Sequence, residues 1–250
     1  MKATKFQSAL ITAKSALVTL WISVINIYRV RRGLYRREEC DALLRWWSQK
    51  LLKFSDLSHE VHDPHGFQPA KDRAHIIMIN HSSMYDIPLT FVSMPGSIRM
   101  LAKKELFQVP LWGTAMRVGE FVSIDRHNRR QAFKDLEEAR KKMESGIILW
   151  VAPEGTRSRS GKLQPFKKGG FVLALQTKAI IVPVGIRGAF DVLPPGTLNF
   201  NTGRRLEFHV GRPIDASQFS RKSMDDLMER VREEMKELAA IPDETESKQA

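Results

Sequence analysis

The sequence predicts an α/β fold: a central, mostly parallel or mixed sheet flanked by helices, with an N-terminal membrane-associated two-helix motif. Three observations lead there. Short apolar runs rich in β-branched residues, bounded by turn-formers, occur at 76–79, 147–151 and 180–184. Stretches with helical spacing lie between and after them. The first sixty residues differ in character, pairing a long apolar run with arginines and tryptophans. At 250 residues, 42% hydrophobic and 27% charged, the chain has the length and composition of one α/β domain with a small appendage. That composition excludes a disordered chain and a polytopic membrane protein.

Residues 15–28 carry no charge and are closed by Arg29, Arg31 and Arg32. At 1.5 Å per residue this run covers about 21 Å, short of a hydrocarbon core of about 30 Å. Extending it back to Phe6 reaches the length but places Lys14 inside. Next, Leu43, Leu44, Trp47, Leu51 and Phe54 share one helical arc, opposite Arg45, Gln49 and Lys53, with Trp46 at the border. Tryptophan beside Lys and Arg suits a bilayer interface, so residues 6–54 read as two helices lying in or dipping into one leaflet. The plainer alternative is a hairpin packed on the body as core. The apolar run starts late and no small-x-small site precedes the arginines, which argues against a cleaved signal peptide. The domain reading is 1–60 for the helix pair, 61–241 for the α/β domain and 242–250 for a polar tail.

Residues 56–74 are polar and broken by Pro64, Gly66 and Pro69, as in a linker. Weaker strand candidates follow at 98–102, 121–124 and 206–210. Helical spacing relates Phe133, Leu136, Ala139 and Met143, and then Phe171, Val172 and Leu175. The clearest helix carries Met224, Leu227, Met228, Val231, Met235 and Leu238, with Ser223 and Asp226 resembling a capping box at its start. No internal repeat or low-complexity tract is evident.

Forty Lys and Arg against twenty-eight Asp and Glu give +12, which attracts polyanions: nucleic acid, an anionic bilayer, or phosphorylated and acidic substrates. The single cysteine, Cys40, rules out an internal disulfide, and Cys/His clusters at zinc spacing are absent from the sequence. A reducing compartment fits, and no structural metal is expected.

The chemistry concentrates where the first buried strand ends, in the stretch Asn80-His81-Ser82-Ser83-Met84-Tyr85-Asp86. His81 at a strand C-terminus occupies the place where α/β sheets put their sites. A carboxylate five residues later, in the first turn of the next helix, folds back onto imidazole Nδ1 and leaves Nε2 free as a base. No serine or cysteine is committed as nucleophile, and in such a site the substrate's own hydroxyl can fill that role. Taken alone, the pair also reads as a strand-end histidine with a charge near a helix N-terminus. A second strand runs into Pro153-Glu154-Gly155-Thr156-Arg157-Ser158, another turn that bears a carboxylate and a guanidinium. Lys103 and Lys104 follow one strand, and Asp125-Arg126 another.

Together the blocks NHSSMYD, AKKELF with PLWG after it, VSIDR, PEGTRS and IVPVGI resemble, in order and approximate spacing, the glycerolipid acyltransferase family, in particular bacterial 1-acyl-sn-glycerol-3-phosphate acyltransferases. The resemblance covers about residues 74–190, and the N-terminal hairpin also looks like the two-helix membrane motif of such enzymes. It implies His81 as base and Asp86 as its orienter. Glu154, Gly155, Thr156 and Arg157 would shape the acceptor site. Arg157, Arg126 and Lys103 would be the phosphate-binding cations, Lys103 matching the family lysine better than Lys104. Backbone N–H groups around Ser82–Tyr85 are the expected oxyanion donors, and Val182-Pro183-Val184 is by resemblance part of an acyl pocket. The implied reaction is acyl transfer from acyl-ACP or acyl-CoA to the sn-2 hydroxyl of lysophosphatidate, giving phosphatidate. No metal or prosthetic group is needed. The expected location is the cytoplasmic face of the bacterial inner membrane, with an anionic membrane surface as partner. Arg157, Arg159, Lys162, Lys167 and Lys168 form a basic run suited to lipid headgroups or an acidic acyl carrier.

Two other functions compete. A relative in the same family would use another lysophospholipid or glycerol 3-phosphate. A non-catalytic basic protein would bind membrane or nucleic acid, although no helix-turn-helix, zinc finger or aromatic RNA-binding signature is present and no nucleic-acid partner is expected.

Overall fold

The computed structural model describes residues 1–125 and 127–241. Eight strands form one mixed sheet: β1 (Leu57–His62), β2 (His75–Ile79), β3 (Ile98–Lys103), β4 (Val122–Ile124), β5 (Ile148–Val151), β6 (Ile180–Arg187), β7 (Arg204–Val210) and β8 (Ile214–Asp215). Their order is β1-β7-β6-β2-β5-β3-β4, with β8 paired to β6. Five of the pairings are parallel, and only β7 and β8 run against β6. The helices are α1 (Lys5–Arg31), α2 (Arg37–Phe54), α3 (Asp86–Ser93), α4 (Trp112–Val118), α5 (Arg129–Glu144), α6 (Gly169–Thr177) and α7 (Met224–Ala239).

Strand β2 lies at the centre, and every one of its residues is buried. Ile77 and Ile79 face a core completed by α2 and α3, whereas Ile76 and Met78 face α5, α6 and α7. Two-sided burial is why this run is continuously apolar and not alternating. Proline is unusual in a central strand because it lacks an N–H. Pro183 fits in β6 because it sits between the segments paired to β8 (180–181) and β7 (184–187), where its carbonyl accepts from Gly211 at 2.9 Å. Gly185 is required by contact: a Cβ there would lie 2.3 Å from the backbone of Leu238 in α7.

The linker reading of 56–74 is corrected, because it contains β1, an edge strand parallel to β7. Its residues are mostly exposed or half-exposed, so Ser58, His59, Glu60 and His62 carry no hydrophobic period. The capping box expected at Ser223 is also corrected. Ser223 is the N-cap of α7 without a side-chain cap bond, and its hydroxyl instead accepts from the N–H of Ser220. A true capping box opens α1, where Thr4 and Gln7 exchange bonds.

The N-terminal pair divides its faces. Cys40, Leu44 and Leu52 of α2 join the core beneath the sheet, with Trp47, Leu51 and Phe54 packed beside them. The amphipathic arc of α2 therefore covers the body, and α1 rides outside it, tied by a hydrogen bond from Trp47 Nε1 to Thr19 Oγ1 (2.9 Å) and by Trp21 against Trp46. Phe6, Leu10, Leu17, Leu20, Trp21, Val24 and Tyr28 of α1 remain exposed, Phe6 by 78% and Leu17 by 66%. With 27 residues, α1 is long and apolar enough to cross a membrane by length and composition, more than the fourteen uncharged residues alone allow.

The hairpin is locked to the sheet by a charged cluster. Arg99 of β3, fully buried, donates to Asp41 Oδ1 (2.6 Å) of α2 and to the carbonyls of Gly119 and Ile98. Glu120 accepts from Arg37 and from the Tyr35 hydroxyl. Removing one partner of a buried pair strands the other charge. Asp41→Ala is accordingly expected to lower stability by about 3 kcal/mol. Glu137→Ala, which breaks an exposed ion pair on α5, should not shift the denaturant midpoint measurably.

Candidate active site

The chain leaves the sheet at Asn80, whose side chain continues the ladder in place of backbone. Its Nδ2 donates to the Ile186 carbonyl (3.1 Å) and its Oδ1 accepts from Ile186 N (2.7 Å). The backbone is then free to turn at His81. Both main-chain groups of His81 are held by the loop after β5: its N–H donates to Glu154 Oε1 (2.8 Å) and its carbonyl accepts from Ser158 N (2.7 Å).

Helix α3 starts at Asp86, and Pro88 falls in its first turn, where a missing N–H costs nothing. The Asp86 carboxylate is fully buried, and its Oδ2 accepts three bonds of 2.8 Å, from His81 Nδ1, Ser82 N and Ser83 N. An ionised carboxylate only accepts, so Nδ1 carries the imidazole proton and Nε2 presents its lone pair. Nε2 has no hydrogen bond to any described residue. The ring stands edge-on to Trp150 at 5.4 Å. Trp150 Nε1 donates to Thr90 Oγ1 (3.1 Å), and that hydroxyl donates to the Asp86 carbonyl (2.8 Å).

The expected oxyanion donors are largely committed elsewhere. Ser82 and Ser83 turn their N–H groups to Asp86, and Tyr85 N points to Ser83 Oγ at 3.4 Å. The same bonds that fix the dyad therefore remove these donors from the substrate side.

Strands β2, β5, β3 and β4 are adjacent and parallel, so their C-terminal ends open on one edge. His81 follows β2, and Glu154, Gly155, Thr156 and Arg157 follow β5. Lys103 ends β3 and is exposed, whereas Lys104 is drawn to Asp125 after β4 at 2.7 Å. Arg126 lies outside the described residues. The half-buried Arg157 makes no side-chain hydrogen bond or ion pair to a described residue, which leaves its donors for a ligand. Thr156 is exposed, and Gly155 takes a left-handed φ of 77° that its turn requires.

Glu154 is only 2% exposed and points inward, bonded to His81 N and, through Oε2, to Gln164 N (2.9 Å). Its two oxygens thus tie the backbone at His81 to the loop at Gln164. Burial, reinforced by the nearby Asp86 charge, pushes its pKa up to about 7 against the pull of the two N–H donors. Sequence reasoning missed the bracing residues Asn80, Thr90, Trp150 and Arg232. Arg232 of α7 donates to the Gln164 carbonyl (2.8 Å) and lies over the Phe166 ring, steadying the segment that meets Glu154. Its only signal was an arginine beside Val231 on the apolar side of that helix.

These elements make an α/β sheet with a histidine–aspartate pair at the C-terminal edge of its parallel strands. The family model described as Acyltransferase matches residues 58–187, and the chain belongs to that family. A 1-acyl-sn-glycerol-3-phosphate acyltransferase of Saccharomyces cerevisiae is 34% identical over 169 residues, 65% of this chain and 54% of that protein. The human protein of that name, form beta, is 33% identical over 150 residues, 60% of this chain and 53% of its own length. A chloroplastic relative of the same name from Arabidopsis thaliana is 29% identical over 150 residues, 60% of this chain and 42% of its own. The chain spans about half the length of the curated relatives it matches. Among solved structures, the 1-acyl-sn-glycerophosphate acyltransferase PlsC of Thermotoga maritima superposes with a TM-score of 0.77 at 26% identity, covering 94% of each chain.

A raised folded-state pKa favours the protonated carboxyl in the native state. The stability it lends is present below pH 4.5 and is lost as pH rises through about 7. Wild type should thus lose up to about 3 kcal/mol relative to Glu154→Gln across that window. Urea midpoints of both proteins from pH 4.5 to 8 check this; parallel curves would contradict it.

Proposed function

We propose that the protein transfers an acyl group from a thioester, acyl-ACP or acyl-CoA, to the sn-2 hydroxyl of 1-acyl-sn-glycerol 3-phosphate, giving phosphatidate. The observation that carries this reading is the His81–Asp86 dyad, with Nε2 open at an edge where Arg157 and Lys103 are also presented. His81 Nε2 takes the proton of the acceptor hydroxyl as its oxygen attacks the thioester carbonyl. The tetrahedral intermediate collapses to the ester, and the departing thiolate takes the proton back from His81. Asp86 holds the ring in the required tautomer and stabilises the imidazolium between the two transfers. Arg157, Arg126 and Lys103 receive the acceptor's phosphate, and the turn at Gly155 and Thr156 shapes that pocket, braced by Glu154. The chemistry calls on no metal or prosthetic group.

The exposed apolar face of α1 supports docking on a membrane, the cytoplasmic face of the bacterial inner membrane being our reading. There the lysolipid acceptor is delivered from the bilayer, and the exposed Arg159 and Lys167 face anionic headgroups or an acidic carrier, while Lys168 is paired with Asp225.

Thiol release from acyl-CoA and acyl-ACP, followed with and without lysophosphatidate, tests the assignment. His81→Ala is expected to abolish acceptor-dependent release while the circular dichroism spectrum is kept. Arg157→Ala should raise the KM for lysophosphatidate at least about tenfold, the loss of a charge-assisted contact. Equal release with glycerol 3-phosphate or another lysophospholipid would reassign the acceptor, and an active His81→Ala protein would overturn the mechanism.

A further inference from the structure

Away from the dyad, the edge of the sheet carries a second cluster. Strand β1 contains Glu60-Val61-His62 and strand β7 contains Glu207-Phe208-His209. The two strands are parallel and in register, so Glu60 lies beside Glu207 and His62 beside His209. Residues two apart share a face of the sheet, so all four polar side chains project to one side. Phe208, between them, is buried on the other face.

Like beside like is unfavourable on a sheet unless something between the strands repays it. Here the two imidazoles stack at 4.4 Å, within 10° of parallel. His209 Nε2 lies 2.9 Å from Glu207 Oε2, and His62 Nε2 lies 3.7 Å from Glu60 Oε1. Arg187 and Arg205 accompany Glu207 and Glu60. One donor atom each from His62, Glu207 and His209 falls within 4.8 Å of the other two. A tetrahedral zinc site has bonds of about 2.0–2.2 Å and thus donor atoms about 3.3 Å apart. All three side chains are partly exposed, which gives them room to turn toward one another.

We propose that His62, Glu207 and His209 form a binding site for a divalent transition ion of the zinc class. Two imidazoles and one carboxylate match the donor set such ions prefer, whereas Mg²⁺ and Ca²⁺ take oxygen ligands. Residues two apart on one strand with a third on its neighbour give a three-point grip, which leaves a fourth position to water. The site joins β1 to β7, its one partner strand among the described residues. Since only Ser55 and Asp56 separate α2 from β1, the ion would also fasten the hairpin to the sheet. The sequence hides this site because its halves lie far apart in the chain, Glu207 and His209 against Glu60 and His62. Strands β7 and β6 separate it from β2, so it is independent of the proposed acyl transfer.

Tag-free full-length protein, stripped with chelator and dialysed, is titrated with zinc chloride by calorimetry, and its Tm is followed with and without zinc. One Zn²⁺ per chain and a raised Tm are expected, with Mg²⁺ giving neither. Binding and Tm shift should vanish in the double variant His62→Ala/His209→Ala and persist in His65→Ala, an exposed histidine elsewhere. Glu207→Gln should weaken binding more than about tenfold and serves if the double variant does not fold. Zinc-free acyl transfer is expected unchanged in all of these. Absence of saturable uptake by wild type, or uptake equal in wild type, the double variant and Glu207→Gln, would overturn the site.

Discussion

One oxygen of one buried carboxylate organises the site. Asp86 Oδ2 gathers the Nδ1 proton of His81 and the N–H groups of Ser82 and Ser83. A carboxylate excluded from water is tolerated only when its charge is met by donors, and three short bonds meet it here. Those bonds also bend the chain from β2 into α3, so the conformation of the turn and the tautomer of the base have a common cause. Glu154 holds the same histidine from the other side, by its backbone N–H. The imidazole is thus fixed by two buried carboxylates, one gripping the ring and one the main chain.

The rest of the fold serves these two grips. Four adjacent parallel strands bring the ends of β2, β5, β3 and β4 to one edge, and β5 places Glu154 beside the end of β2. Helix α7, distant in sequence, reaches the same loop through Arg232. The N-terminal hairpin is also connected: Ser55, at the end of α2, shares a hydrogen bond with the hydroxyl of Tyr85, the residue before Asp86. Burial pushes the Tyr85 pKa up to about 12 against the opposing pull of the Ser55 contact, so the hydroxyl serves as a neutral hydrogen-bonding strut. Helix α1, whose apolar outer face is turned away from the body, is therefore mechanically linked to the turn that holds the dyad.

Much of this was legible in the chain. Runs such as 76–79 and 180–184 announce central strands because burial on both faces forces them to be apolar, and the dyad is local, five residues apart. Strand β1 was not legible, since an edge strand with exposed polar residues has no period to detect. Nor was the inward turn of Glu154. A carboxylate in a Gly-containing turn reads as a surface ligand, and only the meeting of β2 with β5 shows that it accepts from His81 N. The stacking of His62 on His209 likewise depends on a β1–β7 register that no local pattern encodes. The division of labour in the hairpin, α2 facing the core and α1 facing out, is invisible to amphipathicity, which gives a face but not its partner.

The central claim is that Asp86 sets the tautomer of His81 and keeps Nε2 available as a base. Asp86→Asn tests it most directly, because the amide retains the size of the side chain while losing its charge and one acceptor oxygen. Acceptor-dependent thiol release should fall on the order of 10⁴-fold in kcat, with a small change in the KM for lysophosphatidate and a folded protein. A variant that turns over within about tenfold of wild type would contradict the account, since His81 would then need no carboxylate to act.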